Sequence, residues 1–498
     1  MEYSDKSIHS YEKRLFEYNK SLFGNYEFAN SEESVLVLHS LPTELNFCAL
    51  EDIAALKISG HKNRVLSIQF EAYRKSVEEL DKTYGIMPFF IKWNDFDETE
   101  YKDIAFRFVD KLKNSKDKEV FLSMKYKDIE YGEILYGDSI RKKFISVEDA
   151  GILLEKEFIE LHIKILHTID LAYDFFSKHK CSAVVISEWG YTNGLFARIA
   201  QEFGACIYIV DIMRPNYISR IYPNKKMFET VKVADVIKCK GNYDIDVLDE
   251  SRDLFVLKRK DFNASLNINE NGKANVFILP HAFTDNPRTG DHMDVFIDYY
   301  DWFIYTLETI KDIKDINWYI KDHPESRAYG QGKVTKKLCD KYSSDNIIWC
   351  DKKFSGSQIA SVADCVVTCA GDAGIEFWVQ GIPTITAANA YYTDWGISYR
   401  AKSVEEYKRL LQEAGKLKKP TNESSKMARE KLLKSSLFKK KGYAVLDIFY
   451  ETRIEQLRAF RADGYHNENY VFYKFVDRLN EVNSVQEYDV IASDVISL

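Results

Sequence analysis

Residues 364 to 386 have the sequence DCVVTCAGDAGIEFWVQGIPTIT, which contains the signals of a strand, a turn, a helix and a second strand, in that order. The runs CVVTC and PTIT are short and apolar, as buried strands are, whereas AGIEFWVQ has the length of a short helix. Glycine and small residues fill the first turn, and glycine and proline at 381 to 383 end the helix. Two strands joined by a helix form a parallel unit, so this stretch predicts an α/β fold with a doubly wound sheet.

The same alternation of apolar runs and amphipathic stretches extends to both sides of this unit. Before it, strands are predicted at 35–39, 64–70, 119–124, 182–187 and 205–210, with helices near 45–59 and 147–178. Around it, strands are predicted at 275–280, 316–321, 346–350, 364–369 and 383–386, with helices near 291–311, 333–342 and 373–380. Between 211 and 270 the alternation stops and prolines and charged residues accumulate, so we place a boundary between two sheets there.

We therefore predict two Rossmann-like domains, residues 1–225 and 226–420, followed by a helical carboxy-terminal extension at 421–498. Two such domains leave a cleft between them. Open α/β sheets bind ligands outside the carboxyl ends of their strands. The loops that follow the strands are therefore the first places in which to look for functional residues.

The composition is that of an ordinary folded protein. Of the 498 residues, 45% are hydrophobic and 29% are charged, which excludes a disordered polymer, and the net charge of -8 argues against nucleic acid as the main partner. No stretch approaches the ~18 consecutive apolar residues of a membrane-spanning helix, and the amino terminus lacks the apolar core of a secretion signal, so we expect a cytoplasmic protein. The eight scattered cysteines fit reduced core residues better than disulfides or zinc ligands.

His323 follows the predicted strand INWYIK in the sequence Asp322-His323-Pro324. Because proline cannot continue a strand ladder, it presents the histidine on an extended turn at the carboxyl end of the strand. A histidine there can donate to a phosphate oxygen, and a nearby anion favours its charged form. Lys321, two residues before His323, supports this interpretation. A turn histidine satisfied by backbone groups is the alternative.

The turn from Thr368 to Gly374 is the second candidate. Its small residues, Gly371 among them, allow backbone N–H groups to approach an oxyanion at the start of a helix. Asp372 is positioned to cap that helix, and Glu376 in the first turn is positioned to accept hydrogen bonds from ribose hydroxyls. A tight turn without a ligand is the alternative. This turn and the turn at His323 follow two strands of one domain, and both suit the same anion. That agreement favours a binding site over a turn without a ligand.

A third candidate is the loop at 280–292, which follows the first strand of the second domain. It holds His281, Thr284, Asp285 and Arg288 and is positioned to close over a ligand from the domain junction. An irregular surface loop is the alternative.

Glu188 follows the predicted strand SAVVIS of the first domain. A carboxylate facing a cleft from such a strand end can take a proton from an acceptor hydroxyl, and partial burial beside Trp189 would raise its pKa toward neutrality. A glutamate that only binds backbone or sugar is the alternative. Asp244 and Asp246 form a carboxylate pair of a kind that can hold a divalent metal, but no evident strand precedes them, so we predict no metal site.

These residues together resemble the GT-B glycosyltransferases of bacterial surface-polysaccharide assembly. More narrowly, they resemble capsule-type enzymes that use CMP-activated ulosonic acids such as Kdo, sialic, legionaminic or pseudaminic acid. YIKDHP (319–324) is similar to the His-Pro motif of that family, and TCAGDAGIEFWVQGIPTIT (368–386) is similar to its donor-binding G-x-x-G-x-E segment. AYYTDWGIS (390–398) resembles the aromatic stretch that follows in Kdo-transferring relatives. The likeness covers roughly 270 to 400, whereas the amino-terminal half is similar in layout alone.

The resemblance implies a GT-B fold in which an acceptor-side first domain faces a donor-binding second domain across a cleft. It also implies that His323 contacts the donor phosphate. From the residues themselves we expect glycosyl transfer without a cofactor or metal, with Glu188 as the base. The bacterial sialyltransferases of this fold carry an acidic pair before a glycine as the motif that bears the base, whereas Glu188-Trp189-Gly190 has one acid. The donor-binding residues that we expect are Lys321, His323, Thr368, Gly371, Asp372, Gly374, Glu376, His281 and Asp285.

The expected partners are a nucleotide-sugar donor, best matched by a CMP-linked ulosonic acid, and a glycan or lipid-linked glycan acceptor. The sequence leaves open whether the chain forms a homo-oligomer and whether Lys439-Lys440-Lys441 contacts the inner face of the cytoplasmic membrane. It also leaves open other functions for the same fold: a CDP-glycerol-type polyol-phosphate transferase, a UDP-sugar-using GT-B enzyme and a sugar-nucleotide epimerase. A non-catalytic assembly subunit is the alternative from another class.

Overall fold

Two six-stranded sheets with surrounding helices organise the part of the chain that the structure describes. The structure is a computed structural model, and it describes residues 32–39, 45–59, 63–70, 77–78, 81–82, 84–91, 97–115, 119–142, 155–187, 190–210, 218–221, 223, 268, 271–285, 293–324, 326, 329, 331, 334–350, 354–390 and 392–437. The predicted α/β class is confirmed.

The first sheet is doubly wound. The strands of this half of the chain are β1 Ser34–Leu38, β2 Arg64–Phe70, β3 Met87–Ile91, β4 Lys125–Tyr126, β5 Ile129–Glu130, β6 Cys181–Ile186, β7 Cys206–Val210 and β8 Ile218–Ile221. β4 and β5 form a separate antiparallel ribbon, and the other six make a sheet of order β3-β2-β1-β6-β7-β8. All its pairs are parallel except that of β7 with β8. The strand order reverses between β1 and β6, which is the point where sheets of this kind bind ligands.

Helices pack against the first sheet through the apolar faces that their sequences predict. They are α1 Leu45–Ser59, α2 Thr99–Ser115, α3 Glu119–Leu122, α4 Gly132–Arg141, α5 Glu155–Lys178 and α6 Thr192–Glu202. In α5 the buried residues Phe158, Leu161, Ile165 and Ile169 recur every three or four positions, which places them on one face. That face packs into the core of the first unit.

The run at 119–124 and the strand β3 are places in this half where the structure differs from the predictions. The run at 119–124, predicted as a strand, begins with the one-turn helix α3, in which the neighbours Val120 and Phe121 are both buried. A strand would turn adjacent residues to opposite faces, so the packing of Phe121 against Tyr136 and Phe158 requires the helical turn. β3 was not predicted because it contains Pro88, and it forms at the edge of the sheet, where a strand tolerates proline.

The second sheet is parallel throughout. Its strands are β9 Ala274–Ile278, β10 Ile316–Ile320, β11 Ile347–Trp349, β12 Cys365–Thr368, β13 Thr384–Thr386 and β14 Tyr399–Arg400. Their order is β11-β10-β9-β12-β13-β14, so this sheet is also doubly wound and its order reverses between β9 and β12. The predicted strands and helices of this half lie within a few residues of observed ones, except that the helix predicted near 291–311 begins only at Tyr299.

Helices also cover the second sheet. They are α7 Tyr299–Ile310, α8 Val334–Lys341, α9 Gly356–Ala360, α10 Ala373–Val379, α11 Val404–Glu413 and α12 Asn422–Leu437. A buried group of hydrogen bonds joins α7 to α11: the Tyr407 hydroxyl lies 2.8 Å from both Trp302 Nε1 and Thr306 Oγ1. Each polar group in this contact has a partner, as a buried polar group must.

The predicted extension at 421–498 is described only as far as residue 437. Its helix α12 packs on α10, where Trp378 Nε1 donates to Ser424 Oγ at 2.9 Å and Ser425 Oγ donates to the Trp378 carbonyl at 2.9 Å. Lys439 to Lys441 and the pair Asp244 and Asp246 lie outside the described residues. The predicted domain boundaries remain predictions.

The two units contact each other through the end of α4. The Tyr136 hydroxyl donates to the Asp298 carboxylate, and the Arg141 guanidinium lies 3.9 Å from an Asp285 carboxylate oxygen. Among the described residues, no helix has the length and apolar character needed to cross a membrane.

Candidate functional site

Three neighbouring strands of the second sheet end side by side. β10, β9 and β12 lie in that order, and backbone bonds continue their alignment beyond the strands: Lys321 donates to Ile278 at 3.1 Å, and Leu279 donates to Val367 at 2.9 Å. Adjacent strands lie about 4.8 Å apart, so the loops after β10 and β12 start roughly 10 Å apart with the β9 loop between them. This edge includes the point at which the strand order reverses.

His281, in the loop after β9, contacts the turn after β12. Its Nε2 accepts a hydrogen bond from the Ala370 N–H at 3.1 Å, and its ring stacks on Tyr299, with ring centroids 4.1 Å apart and planes 8° apart. Because Nε2 accepts, a neutral His281 carries its proton on Nδ1. Burial raises the pKa of the Tyr299 hydroxyl well above its usual value, which keeps the stacked ring uncharged.

The two glycines of the turn are closely surrounded by side chains. A Cβ at Gly371 would lie 3.0 Å from Thr368 Oγ1 and 3.3 Å from His281 Cε1, which is a tight contact with both side chains. A Cβ at Gly374 would collide with the Tyr392 hydroxyl and lie 2.7 Å from its Cζ. That hydroxyl donates to the Gly371 carbonyl at 2.6 Å and fixes the turn from the other side. The turn is therefore held between an imidazole and a phenol.

The other predicted residues of this turn differ in exposure and bonding. Thr368 is buried and its hydroxyl donates to the Leu279 carbonyl at 3.2 Å, so it joins the ends of β12 and β9. Glu376 is buried in the first turn of α10, whereas Asp372 is exposed.

The expectation that Asp372 caps α10 is wrong. Its φ of -53° and ψ of -23° are already helical, and its side chain makes no capping hydrogen bond, because a capping residue needs an extended backbone. With seven residues, α10 is also too short to contribute much of a helix dipole. Any affinity of this turn for an anion therefore rests on its N–H groups and on the neighbouring histidines.

His323 stands on the same edge, after β10. Asp322 Oδ1 accepts from the His323 N–H at 2.9 Å and from the Thr335 hydroxyl at 2.8 Å, which fixes the turn that carries the imidazole. The ring is half-buried and approaches Tyr329 edge-on at 6.4 Å between centroids. Lys321, also half-buried, precedes this turn.

Asp285 lies in a contact that involves both units. The guanidinium of Arg141, from the first unit, lies 4.3 Å from the centre of the Tyr329 ring and 3.9 Å from Asp285 Oδ1. Thr284 joins the same two loops, because its hydroxyl donates to the Tyr329 carbonyl at 3.0 Å. The loops after β9 and β10 are thus tied to each other and to α4.

The structure brings together His281, Thr368 and Gly371 in direct contact and puts His323 on the same edge. Glu188, Trp189 and Arg288 lie outside the described residues. Ser187, which precedes Glu188, follows β6 at the reversal of the first sheet, and its N–H donates to Glu51 Oε1 at 3.1 Å.

Sequence reasoning missed the aromatic and basic residues that hold these loops: Tyr299, Tyr329, Tyr392 and Arg141. Only Tyr392 lies in a segment that the sequence had singled out, AYYTDWGIS. Tyr299 lies at the start of α7, Tyr329 in the loop after β10 and Arg141 in the first unit. No local sequence pattern marks these three residues.

Groups of residues able to hold a metal lie elsewhere. Within the described ranges, the histidine, cysteine and carboxylate clusters close enough to ligate one ion all include His39, at the end of β1. None of them lies at the edge formed by β10, β9 and β12. The absence of a metal at the candidate site remains a prediction.

The sequence matches no protein-family model and no curated protein. Several solved structures are similar to the chain. The β-Kdo 2,4-transferase KpsC of Thermosulfurimonas dismutans is 12% identical and aligns with 50% of this chain and 87% of its own, with a TM-score of 0.28. The UDP-GlcNAc 2-epimerase of Neisseria meningitidis, bound to UDP-GlcNAc, is 10% identical over 80% and 100% of the two chains, with a TM-score of 0.22. Anabaena HepE, in complex with UDP-glucose, is 10% identical over 86% and 99%, with a TM-score of 0.27. Similarities of this size carry no residue's role over to this chain.

Proposed function

We propose that this chain is a nucleotide-sugar-dependent glycosyltransferase whose second sheet binds the donor at the ends of β10, β9 and β12. The observation that carries the proposal is that His323, His281 and the Gly371 turn follow three neighbouring strands and so lie on one edge of the sheet, at the reversal of the strand order. Reversal points are where doubly wound sheets bind ligands, and imidazole and amide donors suit a phosphate.

The proposed chemistry is stabilisation of the leaving nucleotide. As the bond between the sugar and the phosphate breaks, negative charge grows on the phosphate oxygens. Donors fixed in advance lower the barrier most where charge develops in the transition state. Asp322 fixes the backbone turn that carries His323. The ring of His281 is held by Tyr299 and Ala370, so that ring does not need to reorganise during the reaction. Protein donors acting in this way need no divalent ion.

The acceptor is proposed to bind against the first sheet. The strand order of the first sheet reverses between β1 and β6, and Ser187 follows β6 directly. The next residue, Glu188, is the proposed base for the acceptor hydroxyl. A glycan hydroxyl activated there would attack the anomeric carbon of a donor held by the second sheet. The donor that we favour is a CMP-linked ulosonic acid, and the reaction belongs to the assembly of a surface polysaccharide.

A His323→Ala variant tests the donor role. We expect kcat to fall by roughly 10² to 10³, the usual effect of removing one positioned donor. The matched control is His179→Ala, which removes a half-buried histidine that stacks on Phe175 in the first unit. Mass-spectrometric detection of the product measures both rates. A kcat near that of wild type in His323→Ala would contradict the proposed role.

Nucleotide binding separates the donor classes. A nucleotide at ~100 times its dissociation constant stabilises the folded protein by about 2.7 kcal/mol, which thermal unfolding detects. Stabilisation by CMP supports a ulosonic acid donor. A preference for CDP favours a polyol-phosphate donor, and a preference for UDP favours a UDP-sugar. No stabilisation by CMP, CDP, UDP or GDP would contradict the donor site and favour a non-catalytic subunit.

A further inference from the structure

A cluster of fully buried polar side chains lies at the carboxyl end of β1. His39 follows the strand, Glu51 and Asp52 lie on α1, and Asp81 comes from a later segment of the chain. All four side chains have 0% exposure. His39 Nδ1 lies 3.0 Å from Glu51 Oε2, and His39 Nε2 lies 3.1 Å from Asp81 Oδ1 and 3.4 Å from Asp52 Oδ1. Three carboxylates therefore share one imidazole.

Asp52 is the unusual member of this cluster. Neither of its carboxylate oxygens has a hydrogen-bond partner in the part of the chain that the structure describes. A buried carboxylate is strongly unfavourable unless it is paired or coordinates a metal. Burial and the neighbouring Asp81 raise the pKa of Asp52 well above its usual value. A cation bound among these side chains would satisfy the oxygens of Asp52 directly.

The distances around His39 Nε2 suit a small metal ion. Zinc binds imidazole nitrogen and carboxylate oxygen at about 2.0–2.2 Å in tetrahedral geometry, which sets neighbouring ligand atoms roughly 3.3–3.6 Å apart. Asp52 Oδ1, at 3.4 Å from Nε2, falls inside this interval, and Asp81 Oδ1, at 3.1 Å, falls just short of it. Ligand atoms from His39, Asp52 and Asp81 all lie within 4.8 Å of one another.

Glu51 occupies the position of an outer residue in such a site. Histidines that ligate a metal commonly donate their other ring N–H to a carboxylate, which fixes the tautomer. Glu51 Oε2 faces His39 Nδ1, and Glu51 Oε1 accepts from the Ser187 N–H at 3.1 Å. The imidazole can thus hold its proton on Nδ1 and direct the lone pair of Nε2 toward Asp52 and Asp81.

We propose that His39 Nε2, Asp52 and Asp81 bind one divalent transition-metal ion, with Zn²⁺ as the expected ion. Because the side chains are fully buried, the ion is structural: it holds the end of β1, helix α1 and the segment at Asp81 together. The mixed nitrogen and oxygen donors suit zinc better than Mg²⁺ or Ca²⁺, which prefer oxygen alone. The proposal is independent of the transferase function and leaves the donor site free of metal.

Metal content tests the proposal. Full-length protein, purified without chelator, is analysed by inductively coupled plasma mass spectrometry beside Asp52→Asn and the control Asp138→Asn. Asp138 is a buried carboxylate of the same unit that accepts from the Thr192 hydroxyl and does not belong to the residues able to hold the ion. We expect about one zinc per chain in wild type and control and at least a tenfold loss in Asp52→Asn. Metal-free wild type, or equal zinc in all three proteins, would overturn the proposal.

X-ray absorption at the zinc edge of wild type keeps the test decisive if Asp52→Asn fails to fold. The expected spectrum shows nitrogen and oxygen neighbours at about 2.0–2.2 Å and no sulfur at about 2.3 Å. A sulfur neighbour would overturn the assignment, because it would place the ion on the other side of the ring, with Cys48 and Glu51. Treatment of wild type with a chelator should lower its midpoint of thermal unfolding, and re-addition of Zn²⁺ alone should restore it.

Discussion

At the scale of single residues, the candidate site depends on close contacts around the Gly371 turn. His281 accepts a hydrogen bond from the Ala370 N–H of this turn, and the Tyr392 hydroxyl donates one to the Gly371 carbonyl. Such packing holds the turn in one conformation without a ligand. A site organised in advance loses little conformational entropy when a nucleotide binds.

Gly374→Ala tests this packing. The new Cβ would collide with the Tyr392 hydroxyl, and overpacking of this kind costs about 1–3 kcal/mol. Tyr392→Phe removes the hydroxyl and its hydrogen bond to Gly371, at a cost of about 1 kcal/mol. Because the hydroxyl is the nearest of the colliding Tyr392 atoms and its removal relieves part of the collision, we expect the double variant to lose less unfolding free energy than the sum of the two single variants. Additive losses in urea unfolding would contradict the collision.

His162 makes a prediction about pH. It is fully buried in α5, Tyr131 lies 2.8 Å from its Nε2, and burial lowers its pKa to about 3. The unfolded chain binds a proton at this residue near pH 6.5, whereas the folded chain does not until pH is close to 3. Stability is therefore lost as pH falls below about 6.5.

We expect the unfolding free energy of wild type to fall relative to that of His162→Gln by up to about 1.4 kcal/mol for each pH unit between 6 and 5. Denaturant titrations at several pH values measure the difference. Tyr131→Phe is the control, because it removes the hydrogen bond, keeps the imidazole and should therefore run parallel to wild type. A constant difference between wild type and His162→Gln would show that His162 is not held neutral.

At the scale of elements, strands and helices with a clear hydrophobic period were predictable, and segments decided by tertiary packing were not. β12, α10 and β13 match the stretch that predicted them, because periodicity, glycine turns and burial all agree there. The run at 119–124 has the composition of a strand but forms the helical turn α3, because Phe121 is buried between α4 and α5. Composition alone does not contain that contact.

The N-cap residue of α7, Asp298, also contacts the first unit. Asp298 accepts from the Asp301 N–H at 2.8 Å as the N-cap and also accepts from the Tyr136 hydroxyl of α4. The next residue, Tyr299, stacks on His281. The start of α7 therefore links the first unit, through Asp298, to the candidate donor site, through Tyr299.

Asp298→Ala is expected to lower the unfolding free energy by about 1–2 kcal/mol through the lost cap, and by more through the lost partner of Tyr136. Tyr136→Phe removes only the contact between the units. In the Asp298→Ala background, Tyr136→Phe should change the stability little, because its acceptor is already absent. Thermal unfolding of the four proteins gives the coupling. Equal effects of Tyr136→Phe in both backgrounds would show that the two residues do not interact.

At the scale of the whole molecule, the sequence predicted two doubly wound units but not how their residues meet. The strand ends that carry His323, His281 and Gly371 were found because each follows an obvious strand. Their neighbours Arg141 and Tyr299, and the cluster of His39 with Asp81, depend on contacts between segments far apart in the sequence. Such contacts follow from the packing of the complete fold, which a local pattern does not encode.

The most direct test is hydrogen–deuterium exchange of the full-length protein, with and without the nucleotide that gives the largest thermal stabilisation. If the nucleotide binds the ends of β10, β9 and β12, exchange slows in peptides that cover 279–285, 321–324 and 369–376, and the remaining peptides of the second sheet change less. Protection confined to the first sheet, or no protection in these three segments, would contradict donor binding at this edge.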